Sequence, residues 1–359
     1  MMKNQGLKTQ NSIQALRDKT CSFQSAVFNS QRAGFTMVEL LVAIVITALV
    51  LSMSYATFIV QQRSFTVQDQ VAEIQLSSRI AFGILVDNIR TAGFGYPGDE
   101  NPSINGYTEA ITDNENDLLG TNNSDAVTLV GGFRQVATLA LPAVVGQDAI
   151  TITYLPGATP FDLSDNYKNI TIDGLSFAVI SNCAVDVNGD CQAGSPLTLD
   201  RGISKPFPAN RPVFLMESKT FSLIVSDGIN CSAPANTVCM QVATSTDTNT
   251  LTTNIDDLQF AYAVDTNFDG QIDDWNGSKI LDPGDYLTPA PALPLNSKIL
   301  AVRANVLATT RPDYQDPNLE PSSKPYYSTG IVLENNTTPD IDRLRRRIWS
   351  MEIALRNQE

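Results

Sequence analysis

Residues 33–60 read Ala33-Gly34-Phe35-Thr36-Met37-Val38-Glu39 and then LLVAIVITALVLSMSYATFIV. The 21 residues from Leu40 to Val60 contain no charge, proline or glycine. As a helix they rise about 31 Å at 1.5 Å per residue, the thickness of a bilayer's hydrocarbon core. Residues 1–34 carry Lys3, Lys8, Arg17, Lys19 and Arg32 against Asp18, a balance of +4, so the remaining chain holds −18 of the −14 total. Basic residues before the apolar run and an acidic body after it put residues 1–34 on the cytoplasmic side.

Three readings fit this arrangement. A secretory signal peptide would be cut after the run, near Ser54-Tyr55-Ala56, and a simple anchor would not be cut at all. A third reading begins from Glu39, a carboxylate at the edge of the apolar stretch, where an anchor gains nothing from a charge. A charge at mid-helix costs about 2.5–3.5 kcal/mol on insertion scales and less near an end, so Glu39 calls for a purpose.

Gly34, Phe35 and Glu39 followed by an unbroken apolar helix resemble the prepilins of type IV pili and type II secretion. The resemblance implies cleavage between Gly34 and Phe35 by a prepilin peptidase and methylation of the new Phe35 amine. It also gives Glu39 a role: neutralising the Phe35 amino terminus of a neighbouring subunit as helices stack, which sets the axial register. A leader of 34 residues is long for this family.

Beyond Val60 the apolar residues Val67, Val71, Ile74, Ala81, Leu85 and Ile89 recur at helical spacing, with Gln68, Asp69, Glu73 and Arg79 between them. One helix from about Phe35 to Thr91 follows, apolar all round in residues 35–60 and amphipathic in residues 61–97. Gly93, Gly95 and Pro97-Gly98 stop it. Residues 98–359 then read as strands parted by Asn, Asp, Gly and Pro turns. The candidates are Ala126–Val130, Ala149–Tyr154, Leu175–Ile180, Phe221–Val225, Thr237–Ala243, Asp257–Val264, Ile299–Thr309 and a last strand through Trp349, Met351 and Ile353. Arg303 and Asn305 alternate with apolar positions and predict a half-buried strand, while Arg343–Arg347 read as a solvated turn or as partners for nearby acids. The expected fold is α+β, a long N-terminal helix packed on an antiparallel sheet.

Histidine is absent, which removes the usual general base and most zinc ligand sets. No nucleophile elbow, phosphate loop or oxyanion signature appears, so no enzyme is expected. The acidic body argues against nucleic acid as a partner. Of the five cysteines, Cys21 lies upstream of the apolar run. Cys183 with Cys191 and Cys231 with Cys239 are each eight positions apart, suited to two local disulfides of about 2.5 kcal/mol each in an exported body. Four buried free thiols are the alternative.

Asp265, Asn267, Asp269, Gly270, Gln271 and Asp273 follow calcium-loop spacing. Side-chain oxygens stand at loop positions 1, 3, 5 and 9, glycine at 6, a backbone carbonyl from Gln271 at 7 and an inward Ile272 at 8. Position 12 departs, with Asn276 where a bidentate acid belongs; Asp274 is a nearby substitute. An Asx-rich turn is the competing reading. Asp186, Asn188 and Asp190 form a shorter echo, favouring a turn because Cys191 stands where glycine is wanted.

IRTAGFGYP, SDAVTLV, DLQFAYAVDTNFDG, ILAVRANVLATT and RRRIWSMEIALRN, in that order, resemble PilW-type minor pilins. What this implies is a structural and priming subunit at or near a pilus tip. Its partners would be other pilins, the prepilin peptidase, the inner-membrane assembly machinery and a tip adhesin. A minor pseudopilin of type II secretion and a membrane-anchored, calcium-dependent adhesin are the rival expectations.

Overall fold

Helix α1 runs from Met37 to Thr91, 55 residues, as its uninterrupted apolar and helix-forming composition dictates. The computed structural model describes residues 35–97, 104, 110–114, 124–164, 167–226, 231, 237–245, 247–275, 277, 283–287, 298–309, 322–323, 341–342 and 346–355. The chain divides into two compact units, Met1–Val67 and Gln68–Glu359. In the first, the described residues are the apolar part of α1, and nearly every side chain there is exposed.

In the second unit α1 buries Ile74, Ala81, Phe82, Leu85, Val86 and Ile89. Gln70, Ser77 and Ser78 share that face, whereas Val71 is exposed, so the seam sits slightly round the helix from the purely apolar one. Ser78 tolerates burial because its hydroxyl donates to the Ile74 carbonyl at 2.6 Å. The helix stops where Gly93, at φ 77°, turns left-handed and its N–H leaves the helix for the Val130 carbonyl at 2.8 Å.

The face meets a three-stranded antiparallel sheet, β10 (Ile255–Asp265), β11 (Lys298–Thr309) and β14 (Arg346–Ala354). Leu258, Phe260, Tyr262 and Val264 of β10 and Val302, Ala304 and Val306 of β11 form one core with the helix. The opposite face is covered too. Arg303 is only 8% exposed, and its guanidinium lies 4.6 Å from the Tyr286 ring centroid. Asn305 is also buried. The expectation of a half-buried β11 is therefore corrected: both faces of the strand are buried, and Tyr286 and Ile272 lie against Ala261, Ala263 and Ala301 over one end of the second face. Burial, then the Glu352 carboxylate, push the Tyr286 hydroxyl up to about 12. Arg346 and Arg347 belong to β14 and not to a turn; Arg347 lies 4.9 Å over the Trp349 ring.

A nine-stranded antiparallel sheet accounts for β1 (Ile111–Asn114), β2 (Ala126–Leu139), β3 (Ala149–Tyr154), β4 (Asn169–Ile172), β5 (Ser176–Cys183), β6 (Pro196–Leu199), β7 (Pro212–Val225), β8 (Val238–Thr244) and β9 (Thr248–Thr253). Its order is β1-β2-β3-β6-β5-β4-β7-β8-β9, with a further pairing of β2 to β7. That pairing closes a ring: β2–β3–β6–β5–β4–β7 and back to β2. The N-terminal half of β2 and the C-terminal half of β7 contribute Val127, Leu129, Phe221 and Leu223 to the helix-side core. Their other halves wrap with β3–β6 around a second core of Val136, Leu139, Ile150, Ile152, Phe161, Ile170, Ile180, Leu197, Val213 and Leu215. The second unit thus joins a helix-backed sheet to a closed six-stranded barrel through two shared strands.

Gly131-Gly132 lies where β2 passes from one core to the other, at a register shift against β7. A Cβ on Gly132 would stand 3.0 Å from Phe214 Cβ and from Thr171 Cγ2, so the glycines mark close approach and not a turn. Beside this junction Lys219 of β7 reaches α1, its Nζ 3.0 Å from Asn88 Oδ1 and 4.3 Å from the Phe133 centroid. Burial pulls its pKa down. Strands β12 (Ser322–Ser323) and β13 (Ile341–Asp342) pair separately.

Leu85→Ala removes a fully buried contact between helix and sheet and should cost about 3 kcal/mol. Val71→Ala, on the exposed side, should cost under about 0.5 kcal/mol. Urea unfolding followed by tryptophan fluorescence measures both.

Candidate functional site

Phe35 and Thr36 precede the first helical turn, and Phe35 is 83% exposed. Gly34, the other half of the expected cleavage bond, lies outside the described residues, as does Cys21. The Glu39 carboxylate has a use the sequence reading missed. Its Oε2 accepts from the Thr36 N–H at 2.9 Å and from the Thr36 hydroxyl at 3.0 Å, while Thr36 Oγ1 accepts from the Glu39 N–H at 3.2 Å. This is a reciprocal capping box, and the signal for it was the spacing Thr36-x-x-Glu39. Glu39 is therefore not idle in a single chain: it satisfies two donors at a helix start where the helix dipole favours negative charge. Helix entry at Met37 and the cap hold Phe35 and Glu39 at one end of α1.

From there the helix surface is apolar and exposed. Leu40, Leu41, Val42, Ile44, Val45, Ile46, Leu49, Val50 and Leu51 all stand free of their own chain. Hydroxyls in this stretch bond back to the helix: Thr47 to Ala43 O at 2.7 Å, Ser52 to Leu49 O at 2.8 Å and Thr57 to Met53 O at 3.0 Å. Such back-bonding lets a hydroxyl enter an apolar phase without an unmet donor. Helix α1 is long and apolar enough to cross a membrane.

The acidic loop follows β10 directly. Asp265 is 1% exposed, and its two oxygens accept from the Asp269 N–H at 3.3 Å and the Gly270 N–H at 2.8 Å. Asn267 Oδ1 accepts from Asp269 N–H at 2.9 Å and Asp269 Oδ1 from Gln271 N–H at 2.8 Å. Asp273 turns to Thr266, accepting from its N–H at 2.9 Å and its hydroxyl at 2.6 Å. Gly270 at φ 80° makes the sharp bend expected of it, and Ile272 packs inward. Among the described residues no three Asp, Glu or Cys side chains gather into a group that would hold a metal ion. Asn276 lies outside the described residues. A carboxylate the sequence reading did not single out, Asp285, accepts from Trp275 N–H at 3.1 Å and ties the loop's end to the turn Pro283–Asp285.

Both cysteine pairs are bonded. Cys183–Cys191 and Cys231–Cys239 have Cα separations of 5.5 and 6.6 Å. The first encloses a turn in which Asp186 Oδ1 accepts from Asn188 N–H at 2.7 Å and Asp190 N–H at 3.1 Å. The second ties the start of β8 to the segment that follows β7.

An apolar helix that opens at an acid-capped turn, and whose later turns back an antiparallel sheet, is an α+β arrangement of the pilin-like kind, with a helix long enough to cross a membrane. Residues 29–55 match the prokaryotic N-terminal methylation motif, and residues 225–357 match the family of the type IV pilus-assembly protein W. The two matches support a PilW-like type IV pilin. The second match covers β8–β11, β14 and what lies between, and leaves out the barrel strands β3–β6. No curated protein and no solved structure matches the chain.

Asp265→Ala strips the acceptor from two amides in a buried position and should destabilise the fold by about 1–3 kcal/mol. The exposed Asn267→Ala should lie within about 0.5 kcal/mol of the parent. Chemical denaturation distinguishes them.

Proposed function

We propose that this chain is a minor pilin, a structural and priming subunit of a type IV pilus, at or near its tip. It is cut between Gly34 and Phe35, methylated at the Phe35 amine, and held by residues 35–60 in the inner membrane with its C-terminal unit in the periplasm. The observation that carries the reading is the exposed apolar surface from Met37 to Val60, interrupted near its start by one charge, Glu39, four residues past the new amino terminus. In a filament such helices bury that surface against one another, and the Glu39 carboxylate of one subunit cancels the Phe35 ammonium of the next. Its partners on this reading are other pilin subunits, the peptidase, the inner-membrane assembly machinery and a tip adhesin. Roles in adhesion or motility follow from the filament and not from chemistry in this chain.

The capping box makes the Glu39 test sharper than alanine alone allows. Glutamine at the third helical position still caps but carries no charge. Glu39→Gln and Glu39→Ala should both leave export and cleavage intact and both lower incorporation into sheared filaments by about tenfold or more. Normal incorporation of the glutamine variant would reduce Glu39 to a helix cap. Cleavage has its own readout. The mature chain begins at Phe35 and, with both disulfides intact, has no thiol left to alkylate, whereas the uncut chain keeps Cys21. Intact-mass measurement after iodoacetamide treatment without reduction separates the two.

We also propose calcium as a ligand of the loop Asp265, Asn267, Asp269, Gln271 and Asp273. The succession of turns supports it: Asp265, Asn267 and Asp269 each accept backbone amides of the next few residues around Gly270, as a calcium loop requires for its glycine-six bend. Binding would draw the Asp273 carboxylate away from Thr266. Isothermal titration with calcium should give binding to the parent and none to Asp265→Ala or Asp269→Ala. Equal heats from all three would remove the site.

A further inference from the structure

The barrel has two mouths, and two loops close one of them. The β2–β3 loop, residues 140–148, and the β6–β7 loop, residues 200–211, lie across it, joined by reciprocal hydrogen bonds between Ala143 and Phe207, each 2.8 Å. Gly146 N–H donates to Ile203 O, and Ile203 N–H to Gln147 O, both at 2.9 Å. The loops are pressed so closely that a Cβ on Gly202 would stand 2.8 Å from the Gly146 backbone. Ala143, Ile203 and Phe207 plug the barrel core. The side chains between them point outward: Leu141, Val144 and Val145 are 60%, 62% and 61% exposed, beside exposed Pro142 and Pro206.

We propose that this mouth inserts its tip, Leu141–Val145, into the apolar edge of a zwitterionic lipid leaflet. The loops are braced from within, Ala140 N–H donating to Thr151 O, Gln147 N–H to Val144 O and Val144 N–H to the Gln147 side chain at 3.1 Å. Two observations favour lipid over a protein surface. First, the tip is aliphatic, without the Tyr, Trp, Met or Arg that mark the buried centres of protein interfaces. Second, the rim is electrically balanced. Asp148, Asp173 and Asp200 stand with Arg201, Lys205 and Arg211, and two pairs are closed at 3.0 Å, Arg201–Asp200 and Arg211–Asp173. A neutral rim on a body of −18 disfavours both an anionic leaflet and a second copy of the chain. The proposal does not depend on the assembly reading, since it concerns barrel residues alone.

The test uses the full chain, reconstituted through its helix into phosphatidylcholine vesicles fixed on beads, and reads retention of dye-loaded, protein-free phosphatidylcholine vesicles. The parent should retain vesicles above protein-free beads. The triple variant Leu141→Ser, Val144→Ser, Val145→Ser should lose about tenfold or more, from the apolar area withdrawn. Val187→Ser, at an exposed apolar residue in the Cys183–Cys191 loop, should behave as the parent, and Val144→Trp should retain more. Since the three positions are exposed, native disulfides on non-reducing gels should persist in every variant. Retention by the triple variant equal to the parent would overturn the proposal. So would retention that requires phosphatidylglycerol in the free vesicles, and so would a parent no better than empty beads, which would leave the mouth to a protein ligand.

Discussion

An apolar helix surface that finds no partner in its own chain must find one elsewhere. From Met37 to about Val60 no side chain of α1 is buried by the protein that carries it, and water is the one surrounding in which that surface cannot stably remain. A bilayer and the apolar faces of other helices are surroundings that accept it. Everything else in the molecule is arranged so that the same helix serves water as well. From Ile74 to Ile89 the apolar residues narrow to one face, and the three-stranded sheet closes over that face. The change from all-round to one-sided apolarity along a single helix is what makes a membrane segment and a folded body parts of one chain.

The two ends of α1 show how local chemistry fixes this change of solvent. At the start, Thr36 and Glu39 satisfy each other's donors, so the helix enters an apolar phase with its first amides capped. At the finish, Gly93 in a left-handed conformation sends its N–H to Val130 of β2, which fastens the helix end to the strand running beneath it. Lys219 adds a second tie, from β7 to Asn88. The helix is therefore held to the strands shared by both cores.

Much of the helix and the helix-side sheet was legible in the sequence, because length makes periodicity unambiguous. An apolar run of 21 residues reads as a helix long enough to span a bilayer, whichever way the chain is processed, and β10 and β11 announce themselves as long stretches of strand-forming residues. The barrel was not legible. Its strands β4, Asn-Ile-Thr-Ile, and β6, Pro-Leu-Thr-Leu, are four residues each, too short for alternation to be told from chance. The candidate strand Ala126–Val130 stops short of Gly131-Gly132, which proves to be the point where β2 crosses from one core to the next. Closure of the ring rests on β2 pairing with β7, from Arg134 with Leu215 to Thr138 with Pro212, a pairing between distant parts of the chain that no local pattern encodes. At the N-terminus the residues that matter were legible, but their mutual bonding was not: Glu39 was assigned a distant partner while its nearest one, Thr36, stood three residues away. In the acidic loop, spacing foretold the bend at Gly270 and the inward Ile272, while the tie from Trp275 to Asp285 crosses a gap that spacing cannot see.

The sharing of β2 and β7 between two cores has a mechanical side. A tug on the barrel's capped mouth, resisted at the helix end, would run lengthwise down these two neighbouring strands. Their ladder bonds lie crosswise to that direction, so many of them bear the strain together and do not peel apart one after another. The join between barrel and helix-backed sheet is thus the stiff part of the body under tension, and the first yielding is expected in the loops at its margins.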